Sequence, residues 1–573
     1  NKLFFFGGYQ ETTVRRDPAD SQSFVPTPAM LSGDFTAFAS PACNNGRQTT
    51  LRAPFVNNRI DPALFNKQAL NIAGYLPKSN DPCGLITYRL KTINNEGQAI
   101  AKVDYQRSDK HSLFGRYMNS FFRQPFPYSF DKNVLNTGTS GYSNMVQSFA
   151  VGDTYIFSTN LVNAFRLTAN RYTTYRNGGQ FFGPSDVGIN AYTYVPKYMI
   201  VSVSGGFSIG NVNTIPDTLY RTSTFTMADD LNLVRGTHQM SFGGTMTYSM
   251  VNAQSKNSTV PNFSFNGQET GLRMADYFLG KPDTYLQGAP SNAYELDLFP
   301  ALYAQDAWKA KPNLTVNLGL RWEPYLPWSM RQGWVFNFDA NRFHQGIHST
   351  VLPKAPAGLY YPGDPGFPGK SAMHNHWQQF GPRIGLAWDV KGDGRTSVRA
   401  SYGISYEHIP LFWFSDILTA GPWYNRTNIL SPPGGLADPW QGFPGGNYLP
   451  LQSVNPQSAF WIPYGDYMNR PYDNVTPYTE AWNLTIQKQV ASDWLLSTSY
   501  IGSSTIHTWD MKTLNPAAYI PGGPCTMNGV TYNPCSSTSN INQRRLFTLE
   551  RPQDGQNLGR VSDFDDGGTM SYH

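Results

Sequence analysis

Apolar and polar side chains alternate along Gly381 to Glu407, and this stretch shows most clearly how the chain is organised. A strand turns successive side chains to opposite faces, so a period of two predicts two strands with one apolar and one polar face. The residues at 391–395 include two glycines that can adopt positive φ, which predicts a tight turn between the strands. The apolar positions are Ile384, Leu386, Trp388 and Val390 on the first strand and Val398, Ala400, Tyr402, Ile404 and Tyr406 on the second.

A single two-faced hairpin is compatible with two folds. In a soluble sheet the apolar face packs on a core, whereas in a transmembrane barrel it faces lipid and the polar face lines a wet lumen. Each strand has roughly ten residues, about the length that a tilted strand needs to cross a bilayer. Only repetition of the pattern along the chain can separate these interpretations.

The pattern does repeat, and it predicts a first strand followed by six hairpins with short turns. We therefore count thirteen strands, with a fourteenth starting near Gly568. The first strand is Lys2–Gln10, and the other five hairpins pair Gln98–Arg107 with Ser112–Phe122, Gln147–Phe157 with Leu161–Tyr175, Thr222–Val234 with His238–Met250, Asp297–Lys309 with Leu314–Glu323, and Tyr478–Val490 with Trp494–Gly502.

The connections between hairpins are long, and we place large loops at 11–97, 324–380 and 408–477. The first loop contains one predicted short helix, with Asp61 as its N-cap and Pro62 in its first turn. Short turns at one end and long loops at the other are typical of an outer-membrane barrel. A propeller would show a fixed period with short connections on both sides. The predicted fold is all-β, an antiparallel transmembrane β-barrel with long extracellular loops and short periplasmic turns.

Composition agrees with a barrel and excludes some classes of protein. Charged residues make up 14% of the chain, which is low for a soluble protein, and no run of 18 apolar residues exists to form a membrane helix. The net charge of +5 is spread along the chain, so nothing indicates nucleic-acid binding. Since no convergent catalytic set or metal-ligand spacing is evident, we predict no enzyme activity, no cofactor and no metal.

The four cysteines fall in two local pairs in turn-rich sequence. We interpret them as candidate disulfides of an oxidising compartment, with free thiols as the alternative, and the pairing is left open. The four residues are Cys43, Cys83, Cys525 and Cys535.

Two groups of residues are candidates for ligand contact. The loop at 408–477 is rich in aromatic rings, which could stack on a sugar or peptide or could simply pack the loop on itself. The polar strand face carries charges that would pair with each other in a lumen or lie at strand ends near the periplasm. The candidate ligand-contact aromatics are Trp413, Trp423, Tyr424, Trp440 and Trp461, and the candidate lumen charges are Arg321, Glu323, Arg383, Asp389 and Arg399.

Several local sequences resemble the barrel of Oar-like TonB-dependent receptors of the bacterial outer membrane, in family order over essentially the whole chain. These segments are Lys2–Gln10, Val25–Phe35, Val103–Tyr117, Ala275–Gly280, Tyr303–Glu323, Phe380–Asp389 and Trp482–Gln489.

The resemblance implies a barrel of ~22 strands around an N-terminal plug that contacts the TonB complex. We therefore expect residues 1–573 to be a partial barrel domain, about 13 strands of the whole, that lacks the plug and the C-terminal strands. The implied function is transport of a large or scarce solute, and a siderophore, an oligosaccharide or a peptide all remain open. The alternative is a surface adhesin or receptor barrel with no transport role. In both cases the partner surface is outer-membrane lipid.

Overall fold

The computed structural model describes residues 2–16, 20–212, 215–411, 421–451, 459–527 and 529–573. We number its strands in chain order. The first fourteen are β1 (Leu3–Arg16), β2 (Asp20–Phe24), β3 (Leu85–Arg89), β4 (Thr92–Ser108), β5 (His111–Gln124), β6 (Gly141–Ser158), β7 (Leu161–Asn177), β8 (Ile200–Val203), β9 (Ser208–Ile209), β10 (Leu219–Arg235), β11 (His238–Ser255), β12 (Asn262–Phe265), β13 (Thr284–Gly288) and β14 (Ser291–Lys311). The others are β15 (Leu314–Trp322), β16 (Ser329–Met330), β17 (Asn337–Phe338), β18 (Leu359–Tyr360), β19 (Phe380–Asp389), β20 (Thr396–Tyr406), β21 (Arg426–Leu430), β22 (Gly465–Asn469), β23 (Tyr478–Ala491), β24 (Trp494–Thr513), β25 (Cys525–Met527), β26 (Val530–Tyr532) and β27 (Leu558–Tyr572).

Helices are short and lie in the connections between strands. No helix among the described residues is long and apolar enough to cross a membrane. The α-helices are α1 (Pro28–Leu31), α2 (Thr36–Ala39), α3 (Lys67–Ala73), α4 (Tyr128–Asp131), α5 (Arg273–Phe278), α6 (Ala340–His344), α7 (Leu546–Glu550) and α8 (Pro552–Gly555).

One sheet of 16 strands dominates the molecule. Fourteen of its strands follow one another in antiparallel order, namely β1, β4, β5, β6, β7, β10, β11, β14, β15, β19, β20, β23, β24 and β27. β22 adds in parallel to β27, and β16 pairs with β14. Six turns of two to six residues join the hairpins at one end, and seven long connections lie at the other. All thirteen predicted strands are present, and the all-β prediction is confirmed.

The two faces of this sheet differ as the alternation predicts. Phe242, Leu318 and Trp388 all lie on its apolar face and are 42%, 46% and 39% exposed. Leu318 pairs in register with Ile384, so the apolar side chains form continuous rows across neighbouring strands. No compact core covers these side chains, which leaves them for lipid, and we call this side the outer face.

We call the opposite face the inner face. The long connections cover it at the end of the sheet opposite the six short turns. Val251, Ala253 and Ala293 lie on it and are buried against loop residues, whereas Tyr294 and Leu298 on the outer face stay exposed. At this end of the sheet the long connections therefore fold over the inner face. We call these folded connections the loop cap.

The loop cap has hydrophobic cores of its own. Its largest core is built from five separate connections, at 17–91, 125–140, 178–218, 256–290 and 407–477. A second sheet, with strand order β21-β13-β12-β8-β9, joins three of these connections. A further core combines parts of 323–379, 407–477 and 514–557 with the start of β27.

Two boundary predictions are corrected by the structure. The first connection runs only from 17 to 91, and the predicted helix is two pieces, a 3₁₀ turn at Pro62–Leu64 capped by Asp61 and α3 capped by Asn66. Phe65 is extended between them because its ring is drawn into the core, where it stacks 4.9 Å from Phe278. The last strand begins at Leu558 rather than near Gly568. Its buried apolar residues Leu558, Val561 and Phe564 are spaced three apart, so strict alternation did not reveal them.

Candidate functional site

A polar groove of about 720 Å³ runs across the inner face, below the loop cap. It is formed by strands β11, β14, β15, β19 and β20, whose polar residues come into line because cross-strand partners share a face. Ser241 pairs with Gln305, and Asn317 pairs with Gly385, which in turn pairs with Ser401. Amides, hydroxyls and one guanidinium, that of Arg383, therefore face a space large enough for a small solute.

A charged network lies beside the groove on the same face. The Tyr303 hydroxyl donates to Asp230 Oδ1 at 2.6 Å, and Arg166 Nη2 donates to Asp230 Oδ2 at 3.2 Å. Arg321 is the register partner of Tyr303 and donates from Nε to Glu323 Oε1 at 2.5 Å. Of these residues, only Arg321 and Glu323 are among the lumen charges predicted from the sequence. The sequence signal that could have added Arg166 and Asp230 was their place on the polar face of alternating strands.

The remaining candidate charges separate into two kinds. Arg383 and Arg399 lie on the inner face, and Arg383 lines the groove. Asp389 lies at the short turn, where its carboxylate accepts the backbone N–H groups of Gly392 at 3.1 Å and Gly394 at 2.8 Å. It therefore holds the turn, which fits the strand-end alternative, and its role as a lumen charge stays a prediction.

Four of the five candidate aromatics, Trp423, Tyr424, Trp440 and Trp461, are packed within the loop cap. Tyr424, Trp440 and Trp461 are 3%, 4% and 5% exposed. Trp461 Nε1 donates to the Tyr361 hydroxyl at 2.8 Å, and the half-buried ring of Trp423 lies 5.5 Å from that of Tyr361. Trp413 lies outside the described residues. Ligand contact through these rings stays a prediction, but their burial favours the alternative that the loop packs on itself.

Both cysteine pairs are bonded in the structure. Cys43 is joined to Cys83 across 40 residues, and Cys525 is joined to Cys535 across 10 residues. Both bridges lie in the long connections: the first closes a segment that contains α3, and the second closes the β25–β26 hairpin.

A partly buried polar contact, not predicted from the sequence, connects the loop cap to the inner face of β14. His408 Nε2 lies 3.1 Å from Asp297 Oδ2, and the imidazole ring packs 4.6 Å from Phe299. Tyr325 and His376 pair through their backbones next to this contact. Burial raises the pKa of the Tyr325 hydroxyl and lowers the pKa of His376, which favours the neutral form of both side chains.

Within the part of the chain that is described, no three His, Cys, Asp or Glu side chains come together in a way that could hold a metal ion.

The two-faced antiparallel sheet, its polar inner groove and its asymmetric loops define an outer-membrane barrel protein. The chain belongs to the family described as "Outer membrane beta barrel domain", which matches residues 1–573. This is a family of outer-membrane proteins rather than of enzymes, and the protein is located in the outer membrane.

Similar solved structures include one outer-membrane transporter and two receptors. The Escherichia coli transporter YddB is 12% identical over 85% of this chain and 45% of its own, with a TM-score of 0.43. The siderophore receptor PirA from Pseudomonas aeruginosa is 8% identical over 84% and 54%, with a TM-score of 0.36. A mutant of the ferric enterobactin receptor PfeA from the same species is 10% identical over 84% and 48%, with a TM-score of 0.40. The chain thus spans about half the length of these proteins. No curated protein matches it significantly in sequence.

Proposed function

We propose that this protein is the barrel of an Oar-like TonB-dependent receptor that moves a large or scarce solute across the outer membrane. The polar groove on the inner face supports this proposal, because a solute that crossed the lumen from the loop cap to the short turns would pass it. Its lining provides amides, hydroxyls and the Arg383 guanidinium, together with Asp306, whose carboxylate pairs with His238. These groups suit a ligand with hydroxyl or carbonyl groups.

We also propose that further strands complete the barrel around a plug. One hydrogen-bonding edge of β1 pairs with β4, and its other edge has no partner among the described strands. The residues of β24 before Ser503 likewise pair with β23 on one edge only. Unpaired strand edges are costly in lipid, which supports closure by additional strands. A plug would carry the contact with the TonB complex.

The test is uptake by the natural host. A strain lacking the gene should lose energy-dependent uptake of one class among siderophores, oligosaccharides and peptides, and deletion of tonB should give the same loss. Replacing Arg383 by Ala should weaken this uptake, while Arg395→Ala at a short turn serves as the matched control. Unchanged uptake of all three classes in the deletion strain would exclude transport.

The packed loop cap favours a second candidate, a surface adhesin or receptor that displays its loops. In that case the deletion strain should lose attachment to a surface or partner cell while its solute uptake stays normal. Extensive burial of the cap aromatics supports this candidate, because a rigid cap presents a fixed surface.

A further inference from the structure

We propose that three arginines on the outer face, Arg171, Arg221 and Arg331, form a binding site for the phosphate groups of a glycolipid in the outer leaflet of the membrane. This site lies on the opposite side of the sheet from the solute groove and does not depend on any transport role. It rests on the position of the three side chains relative to the apolar band and on the absence of ion pairs between them and any carboxylate that the structure describes.

The register places the three arginines directly above the end of the apolar band. The last fully apolar row crosses four strands through Ala169, Phe225, Tyr248 and Leu298. The next row towards the loops begins with Arg171 and continues through Ser223, Met250 and Leu296. Aromatic residues at such a border are typical of the membrane interface, where the headgroups begin.

The third row brings the other two arginines to the same place. Arg221 pairs with Asn252, which pairs with Tyr294. The backbone N–H of Arg331 donates to the carbonyl of Tyr294 at 2.8 Å, so Arg331 continues this row one strand further. The three arginines, together with Tyr294 and Met250, line a groove of about 220 Å³.

The charges in this groove are uncompensated. All three arginines are exposed, and none of them forms an ion pair with a carboxylate among the described residues. The acidic residue that borders the groove, Glu295, is 3% exposed and belongs to the inner face, opposite the buried Met330. Guanidinium groups bind phosphate oxygens in bidentate geometry, and a basic cluster at this depth suits a phosphorylated headgroup.

The orientation of the barrel identifies the leaflet. Long connections face the outside of the cell in outer-membrane barrels, so the loop end of the apolar band meets the outer leaflet. An acyl chain could then lie along the exposed Phe225 and Leu298 while its headgroup phosphate meets the arginines. We therefore commit to a lipid and not to a free anion as the occupant.

The experiment measures binding of a bisphosphorylated glycolipid to the protein purified from outer membranes in dodecyl maltoside, with native mass spectrometry as the readout. The variant Arg171→Gln/Arg221→Gln/Arg331→Gln should bind the lipid on the order of tenfold or more weakly. The matched control Arg107→Gln/Arg235→Gln/Arg395→Gln removes the same charge at the short-turn end and should bind like the unchanged protein.

Two further measurements distinguish a lipid phosphate from free inorganic phosphate as the group that the arginines bind. A dephosphorylated form of the glycolipid should bind weakly, and millimolar inorganic phosphate should compete poorly because it lacks acyl chains. The proposal is overturned if the triple variant binds as well as the unchanged protein, if dephosphorylation has no effect, or if inorganic phosphate alone displaces the lipid. Circular dichroism spectra of both triple variants check that their sheets are intact.

Discussion

At the scale of single residues, Gly243 has no side chain at a point where the inner face is crowded. A Cβ atom there would lie 2.6 Å from Tyr303 Cε1 and 2.7 Å from Asp230 Oδ1. The ring of Tyr303 thus crosses the glycine to reach the carboxylate of Asp230, and the network beside the groove depends on this close approach.

We expect Gly243→Ala to lower the free energy of unfolding by about 1–3 kcal/mol, because the added methyl group displaces Tyr303 from Asp230. Urea titration followed by tryptophan fluorescence in lipid vesicles measures the change. Gly319→Ala is the matched control, since its Cβ would meet nothing closer than 3.6 Å. Equal stability of the two variants would contradict the role given to Gly243.

Asp364 gives the loop cap a predicted dependence on pH. Burial raises the pKa of this carboxyl, but hydrogen bonds from Ser349, Thr350 and Tyr361 outweigh it and leave the pKa below its ordinary value of 3.8. The stabilisation is therefore present above the unfolded pKa and is lost as the pH falls through the folded one.

We expect Asp364→Asn to destabilise the loop cap by about 1–3 kcal/mol at pH 7, since an amide cannot accept all of these hydrogen bonds. The variant should also lose part of the acid sensitivity that the unchanged protein shows between pH 5 and pH 2. Near-ultraviolet circular dichroism over this range is the measurement. Asp393→Asn, in an exposed turn, should change neither property, and an unaltered acid transition in the Asp364 variant would refute the assignment.

At the scale of elements, the strands could be predicted because one physical cause, the alternation of faces, acts within each short segment. Leu318 and Trp388, for example, occupy apolar positions of the alternation and lie exposed on the outer face as predicted. The loop cap could not be predicted in the same way. Phe65 and Phe278 are more than 200 positions apart, so nothing near either residue reveals that they stack.

The disulfides provide an element-scale prediction. The segment closed by Cys43–Cys83 is four times as long as the one closed by Cys525–Cys535. From the loss of chain entropy in the unfolded state, the two bridges should stabilise the fold by about 4 and about 3 kcal/mol, respectively. We expect the double variant Cys43→Ser/Cys83→Ser to expose the first part of the loop cap to limited proteolysis. The double variant of the shorter bridge is the control and should show the smaller effect. The reverse order would count against the chain-entropy explanation.

At the scale of the whole molecule, the outcome for the aromatic residues has a simple physical reason. An aromatic residue that stacks on a sugar and one that packs on another ring look the same in the sequence. Only the fold shows which of the two contacts the ring makes. Trp440 and Trp461 are buried because several connections converge on them. The groove itself could be predicted only as a polar face, because its depth depends on how the sheet curves.

The assignment of the two faces gives a prediction for the molecule as a whole. Leu318→Arg places a charge against lipid and should destabilise the inserted protein by about 2–4 kcal/mol if it lies near the bilayer midplane. Asn317→Arg, one position earlier, places the same charge on the inner face and should have little effect. Unfolding from lipid vesicles compares the two, and equal losses would mean that the faces are wrongly assigned.

The largest core of the loop cap has a consequence for any solute that enters. Five connections contribute side chains to that one core, so no single connection can swing outwards without breaking the packing of the other four. Entry must therefore take place either beside a rigid lid or by lifting the lid as one body. Crosslinks that pin one connection should then immobilise its neighbours as well.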